Sequence, residues 1–230
     1  MPTVLITGAN RGLGLEFARQ YSDDGWRVYA ACRDPRGARK LQKLAAGGAS
    51  FRVLAMDVTD LATIRAAASA LGGEPVDLLL NNAGVGNPSG KALGSLDYAG
   101  WMKVLDANAL GPARVVEALV ENVAASGRKL IVTITSRMGS IADNASGGSY
   151  PYRSSKTAVN MVVKSLSVDL APRGIACVVL HPGWVRTDMG GAGGKLSPEE
   201  SVSAMRRLIA GLGPKDAGKF FDYDGTRIPW

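Results

Sequence analysis

This 230-residue chain has a single histidine and two cysteines. A protein metal site needs several thiolate, imidazole or carboxylate ligands brought together, and so thin a supply makes no convincing centre. Cys32 and Cys177 each sit in an apolar run, which predicts buried reduced thiols and not a disulfide framework. No apolar run reaches the ~18 residues of a membrane span. No basic region precedes the short apolar stretch in "MPTVLITGAN", so a signal peptide is not expected either. No linker, repeat or low-complexity tract divides the sequence. The expectation is a cytoplasmic protein with no metal and no membrane contact, folded as one domain over residues 1–230.

Glycine, by contrast, is plentiful at 29 residues, which points to tight turns or close approaches of backbone to a ligand. The net charge is +7, and much of it is local. Residues 33–44, "RDPRGARKLQKL", carry Arg33, Arg36, Arg39, Lys40 and Lys43 against Asp34 alone. A small anion accounts for such a cluster as well as a polymer does. No aromatic residue interleaves it, which counts against a nucleic-acid surface.

Short apolar runs alternate with helical patterns. Strands are predicted at 3–7, 27–32, 51–56, 76–80, 129–135, 175–180 and 219–223. The first six are almost continuously apolar, as strands of a parallel sheet covered on both faces must be. Helices are predicted at 13–23, 36–46, 60–71, 98–124, 152–171 and 198–211. The last opens on Ser197, Pro198 and Glu200, a capping box with a first-turn proline. Such alternation implies an α/β fold: a Rossmann-type, doubly wound parallel sheet of about seven strands with helices on both faces.

Two stretches carry chemistry. "TGANRGLG" (7–14) joins the first strand to the first helix. Gly8, Gly12 and Gly14 let the backbone turn against a pyrophosphate, and the helix start offers it free N–H groups. The second strand ends in "AACRDP". Arg33 there, with Arg11 from the loop, suits a ribose 2′-phosphate and so NADP(H), whereas Asp34 points the other way, towards NAD. In "SYPYRSSK" only Tyr152 has a lysine, Lys156, four residues on. On a helix the two share a face, and an ammonium beside a phenol is expected to pull its pKa towards neutrality. A surface tyrosine–lysine pair is the plain alternative.

"TGANRGLG", "NNAG" (81–84), "DANALGP" (106–112), "ITSRMGS" (134–140), "YRSSK" (152–156) and "HPGWVRTDM" (181–189) occur in the order found in the short-chain dehydrogenase/reductases. The chain resembles that family over nearly its whole length. "SRMGS", "HPGWVRTDMGG" and "FDYDGTRIPW" resemble its small C-factor-like carbonyl reductase branch. The resemblance implies strand order 3-2-1-4-5-6-7 and reversible NADPH-dependent reduction of a ketone or aldehyde. Tyr152 is then the general acid, Lys156 its partner and a ribose ligand, Ser136 the donor to the substrate oxygen, and Asn108 the holder of a relay water. Gly8, Asn10, Arg11, Gly12, Leu13, Gly14, Arg33, Asp57, Val58, Asn82, Ala83, Gly84, Pro182, Gly183, Val185 and Thr187 are implied to line the cofactor. Ser136 lies sixteen residues before Tyr152, a longer interval than the family usually has, which leaves Ser140 as a rival donor. A small-molecule substrate and a homodimer or homotetramer are implied as partners. An NAD-linked alcohol dehydrogenase and a low-turnover NADP-binding sensor remain as alternatives.

Overall fold

The computed structural model describes residues 1–48 and 50–230. Seven strands form one parallel sheet in the order β3-β2-β1-β4-β5-β6-β7. They are β1 (Thr3–Thr7), β2 (Arg27–Cys32), β3 (Phe51–Ala55), β4 (Leu78–Asn81), β5 (Leu130–Ile134), β6 (Ala176–His181) and β7 (Phe220–Asp222). Every residue of β1, β4 and β5 is buried, as their unbroken apolar runs require.

Alternate strand residues enter two separate cores. Val4, Ile6, Leu78, Leu80 and Val132 pack beneath α1 (Gly12–Asp23), α2 (Arg39–Ala45) and α7 (Pro198–Gly211). Leu5, Leu79 and Ile131 face the other way, towards α3 (Leu61–Leu71), α5 (Gly111–Ala124) and α6 (Tyr150–Asp169). Each fully buried leucine or isoleucine contributes roughly 1.5–3 kcal/mol. β1 pairs with β2 on one side and β4 on the other, so strand order reverses between β1 and β4. A cleft opens at the carboxyl ends of the strands at such a point, where a ligand is expected to bind.

Three helices differ from expectation. The second begins at Arg39 and not at 36, because Asp34 Oδ1 accepts the Gly37 N–H at 3.0 Å and holds a turn there. The pattern over 98–124 is broken: α4 (Tyr98–Leu105) and α5 are joined by a π-helical turn, Asp106–Leu110, which carries Asn108. α6 starts two residues early, at Tyr150. Pro151 fits the first turn, and Ser149 enters it with φ at 48°. The capping box of α7 forms as read, with Ser197 Oγ accepting from the Glu200 N–H and Glu200 Oε2 from the Ser197 N–H.

Candidate active site

The glycine turn packs against β4's loop with no room to spare. Gly8 and Gly12 have φ of 65° and 52°, a region where glycine alone is unstrained. A Cβ on Gly14 would lie 2.3 Å from the Gly8 carbonyl oxygen and 2.6 Å from Asn82 Nδ2. Thr7 Oγ1 accepts the N–H groups of Asn82 and Ala83, and Asn82 Nδ2 donates to the carbonyls of Thr7 and Gly8. The Asn82 side chain therefore holds the turn in shape. α1 starts at Gly12 with Arg11 as N-cap, no capping side chain and no acid in its first turn. Its leading N–H groups thus present an uncontested positive end to a pyrophosphate, and the cradle fits a dinucleotide.

At the end of β2, Asp34 is spent on Gly37 and does not reach into the cleft. Arg33 is exposed there and close enough to Asp57 for its charge to act on that carboxyl. Asp57 is partly buried, which opposes ionisation, yet two donors from Thr59, aided by Arg33, hold its pKa below the usual range. Asp60, not Asp57, caps α3 through the Ala62 N–H. Val58 packs on Gly111, while Asn10 is exposed and Leu13 half-buried at the start of α1. Gly84 lies between Asn108 and Lys156: a Cβ there would meet Asn108 Oδ1 at 3.1 Å and Lys156 Nζ at 3.7 Å.

The loop after β6 crosses the cleft mouth. Gly183 has φ of 80° and is pressed on Leu196, Val185 bridges to Leu196, and Ser201 Oγ donates to the Pro182 carbonyl at 2.6 Å. Beyond them, Thr187 lies against Gly12, Asp188 pairs with Arg11 at 3.0 Å, and Met189 lies against Gly86. Three consecutive residues thus span from the glycine turn to the loop after β4.

Tyr152 and Lys156 occupy one face of α6, one turn apart. The phenol lies beside the Ser136 hydroxyl. Burial pushes its pKa up, and the Ser136 hydroxyl only partly offsets this. The expected fall towards neutrality is therefore corrected. Lys156 Nζ donates to the Ile134 carbonyl at 3.1 Å and stands 5.7 Å from the Tyr152 ring centre, so its charge is not aimed at the hydroxyl. Lys156 is 6% exposed, and burial brings its pKa down to about 8. Tyr150 faces outward, 39% exposed, with its ring against Trp101.

The two candidate serines differ in their partners. Ser140 Oγ donates to the Trp230 carbonyl and accepts from the Asp143 N–H, so both of its functions are used. Ser136 Oγ accepts the Met138 N–H at 3.2 Å, which leaves its proton free to donate. Asn108 binds Val85 with both ends of its amide and also donates to Ser155 Oγ. Its side chain is thus occupied; π-turns recur at functional sites because they alter main-chain pairing. Sequence reasoning missed Ser155, Thr7 and Asn87, whose Oδ1 accepts the Tyr152 N–H. None carries a signal of its own; each is recognisable only by its partner. Among the described residues, no group of His, Cys, Asp and Glu could hold a metal, and no helix is long and apolar enough to cross a membrane.

A glycine turn at the switch point of a parallel sheet, with a half-buried tyrosine and a buried lysine beyond it, fits a nicotinamide-dependent oxidoreductase of the Rossmann class. The chain belongs to the short-chain dehydrogenase family, whose model matches residues 2–195. It is 51% identical to the C-signal of Myxococcus xanthus over 158 residues, covering 68% of this chain and 93% of that one. NADPH-bound carbonyl reductase from chicken fatty liver superposes with a TM-score of 0.94 at 34% identity, covering 100% of this chain and 99% of that one. A short-chain dehydrogenase/reductase from Burkholderia multivorans with bound NADP gives 0.91 at 38% identity, over 100% and 99% of the two chains.

Proposed function

We propose that this protein is an NADPH-dependent reductase of ketones or aldehydes, reversible to alcohol oxidation. The observation that carries the reading is the meeting of the Tyr152 phenol with the Ser136 hydroxyl, one helical turn from a buried Lys156. A bound nicotinamide supplies the hydride. Ser136 donates to the substrate oxygen as negative charge gathers there. Tyr152 passes its proton to that oxygen. Lys156, titrating near 8, can hold or release a proton close to neutrality and so restore the phenol. Gly8 to Gly14 and the start of α1 hold the pyrophosphate. Asp57, Val58, Asn82, Ala83 and Gly84 border the adenosine, and Pro182, Gly183, Val185 and Thr187 the nicotinamide.

The preference for NADPH over NADH rests on Arg33, free at the end of β2, and on Asp34, turned away into its own loop. Val85 and Met189 bring apolar, exposed side chains to the mouth of the cleft, which suits an uncharged carbonyl compound. Assembly as a homodimer or homotetramer belongs to the same reading. Tyr98 and Met102 of α4 and Met161 and Val168 of α6 are exposed apolar residues on neighbouring helices.

The test is oxidation of NADPH and of NADH against a panel of ketones, aldehydes and diketones. Turnover with NADPH and little with NADH supports the reading. Tight NADPH binding without turnover on any carbonyl, together with no effect of Tyr152→Phe, would favour the sensor alternative.

A further inference from the structure

The residue that follows Ser136 plays no part in the chemistry just described, yet it holds three parts of the chain together. Arg137 opens the short 3-10 turn, Arg137–Gly139, that Ser136 caps. Its Nη2 donates to Asp222 Oδ2 on β7 at 2.6 Å, and its Nη1 to Asp143 Oδ2 at 3.2 Å in the exposed loop that leads to α6. The Asp222 side chain is only 12% exposed but that of Arg137 is 49% exposed, so the pair is shielded from water at its carboxylate end alone. A second tether reaches the same loop. The Trp230 carbonyl accepts from Ser140 Oγ and from the N–H groups of Ile141 and Ala142, and the Trp230 ring packs on Phe220 of β7. On its other side the turn is pressed on α6. A Cβ on Gly139 would lie 2.7 Å from the Lys156 carbonyl carbon, and the Gly139 carbonyl accepts from Thr157 Oγ1 and Asn160 Nδ2.

We propose that Arg137 is a positioning residue for the reduction: through Asp222 it clasps the Ser136 turn against β7, and through Asp143 it ties that turn to the loop that leads into α6. The proposal rests on the reading of Ser136 and Tyr152 as the reacting pair. Ser136 Oγ is aimed by the Met138 N–H, and that N–H stays in place only while the turn does. Displacing a catalytic donor by about 1 Å costs on the order of 100-fold in rate. The planar fork of the arginine reaches Asp143 and Asp222 from two separate nitrogens, a span and fixed geometry that the single ammonium of a lysine does not reproduce.

The test compares Arg137→Met, Arg137→Lys and Asp222→Asn with the wild type, measuring kcat, KM and NADPH Kd. Arg137→Met is expected to lower kcat by roughly 10- to 100-fold while Kd stays within about twofold. Arg137→Lys is expected to recover part of that loss, and Asp222→Asn in the Arg137→Met background to cost little more. A kcat within about twofold of wild type in folded Arg137→Met, or equal losses in kcat and Kd, overturns the proposal.

The only histidine of the chain supplies a second readout that needs no turnover. His181 pairs with Asp222 in the β6–β7 register. It is held neutral chiefly by burial, with Asp222 opposing and Arg137 and Lys156 assisting. Removing Arg137 should move its imidazole resonances upward in titration and speed amide exchange at Ile141 and Ala142 by about tenfold or more. Wild-type protein that reduces no carbonyl, or whose turnover survives Tyr152→Phe, removes the reductase reading and with it the positioning role. The His181 and amide signals then still decide whether the clasp exists, and their constancy in Arg137→Met refutes it. If Arg137→Met does not fold, Arg137→Lys with Asp143→Asn carries the same comparison, and unchanged kcat, KM and loop exchange in both overturns the proposal.

Discussion

The two sides of the cleft are built differently. On the cofactor side, the turn Thr7–Gly14 is fixed by neighbours in its own sequence and by one adjacent loop: Gly14 on Gly8, and Thr7 with Asn82. On the side proposed to take the substrate, residues 141–148 are all exposed, and they are anchored at Trp230 and, through Arg137, at Asp222, far along the chain. A site held by glycine contacts has little freedom to vary. A loop held at a few points can change its sequence between those points and keep its place. The cofactor is therefore inferred more firmly than the substrate from the same molecule.

This contrast predicts that damage on one side shows in chemistry and on the other in binding. On the chemistry side, Ser136→Ala is expected to lower kcat by ~10²–10³ with NADPH Kd unchanged, since it removes one donor to the developing charge. Steady-state kinetics with parallel titration of NADPH fluorescence checks this. Arg33→Ala should act the other way. Loss of a charge-assisted contact to a phosphate, roughly 1.5–3 kcal/mol, weakens NADPH by about 10- to 100-fold and leaves NADH nearly untouched. Calorimetric titration with both nucleotides decides; equal loss for both would place Arg33 outside the 2′ site.

Two smaller effects concern stability. The folded His181 stays neutral down to about 4 because it is buried, whereas an unfolded histidine takes up a proton near 6.5. Between those values the unfolded chain binds more protons, so stability falls as pH drops, by roughly 2 kcal/mol from this group. Urea unfolding at pH 7 and pH 4.5 measures the difference, and His181→Asn should flatten it. Lys156 acts in the same direction, at higher pH. Its folded pKa of about 8 lies below the 10.5 of a free lysine, so holding it charged costs stability below about 8, and the cost fades between about 8 and 10.5. Lys156→Met should abolish turnover yet raise Tm by a few degrees at pH 7, about 1 kcal/mol for a chain of this size. A lower Tm at pH 7 and no change at pH 10 would contradict this.

The layered parallel sheet and the glycine turn were legible from local pattern, the alternating apolar runs and the spacing of Gly8, Gly12 and Gly14, whereas the strand order came from the family resemblance. The placing of Tyr152 and Lys156 one turn apart on the same helix was legible from their spacing. The π-turn at Asn108 was not, because 98–124 reads as one unbroken apolar helix and only Val85 and Ser155 reveal the break. Nor was the direction of the Tyr152 shift. It depends on burial and on where Lys156 Nζ finds its acceptor, at the Ile134 carbonyl. The tethers of Arg137 and Ser140 span 85 and 90 residues, and no local spacing announces them.

The most direct test of the account is a single turnover of bound NADPH by Tyr152→Phe, with Kd measured on the same sample. The account predicts NADPH bound within about twofold of wild type and hydride transfer slowed by ~10³ or more, the loss of a proton donor together with its hydrogen bond. Hydride transfer at the wild-type rate, or a loss that appears wholly in NADPH binding, would contradict it.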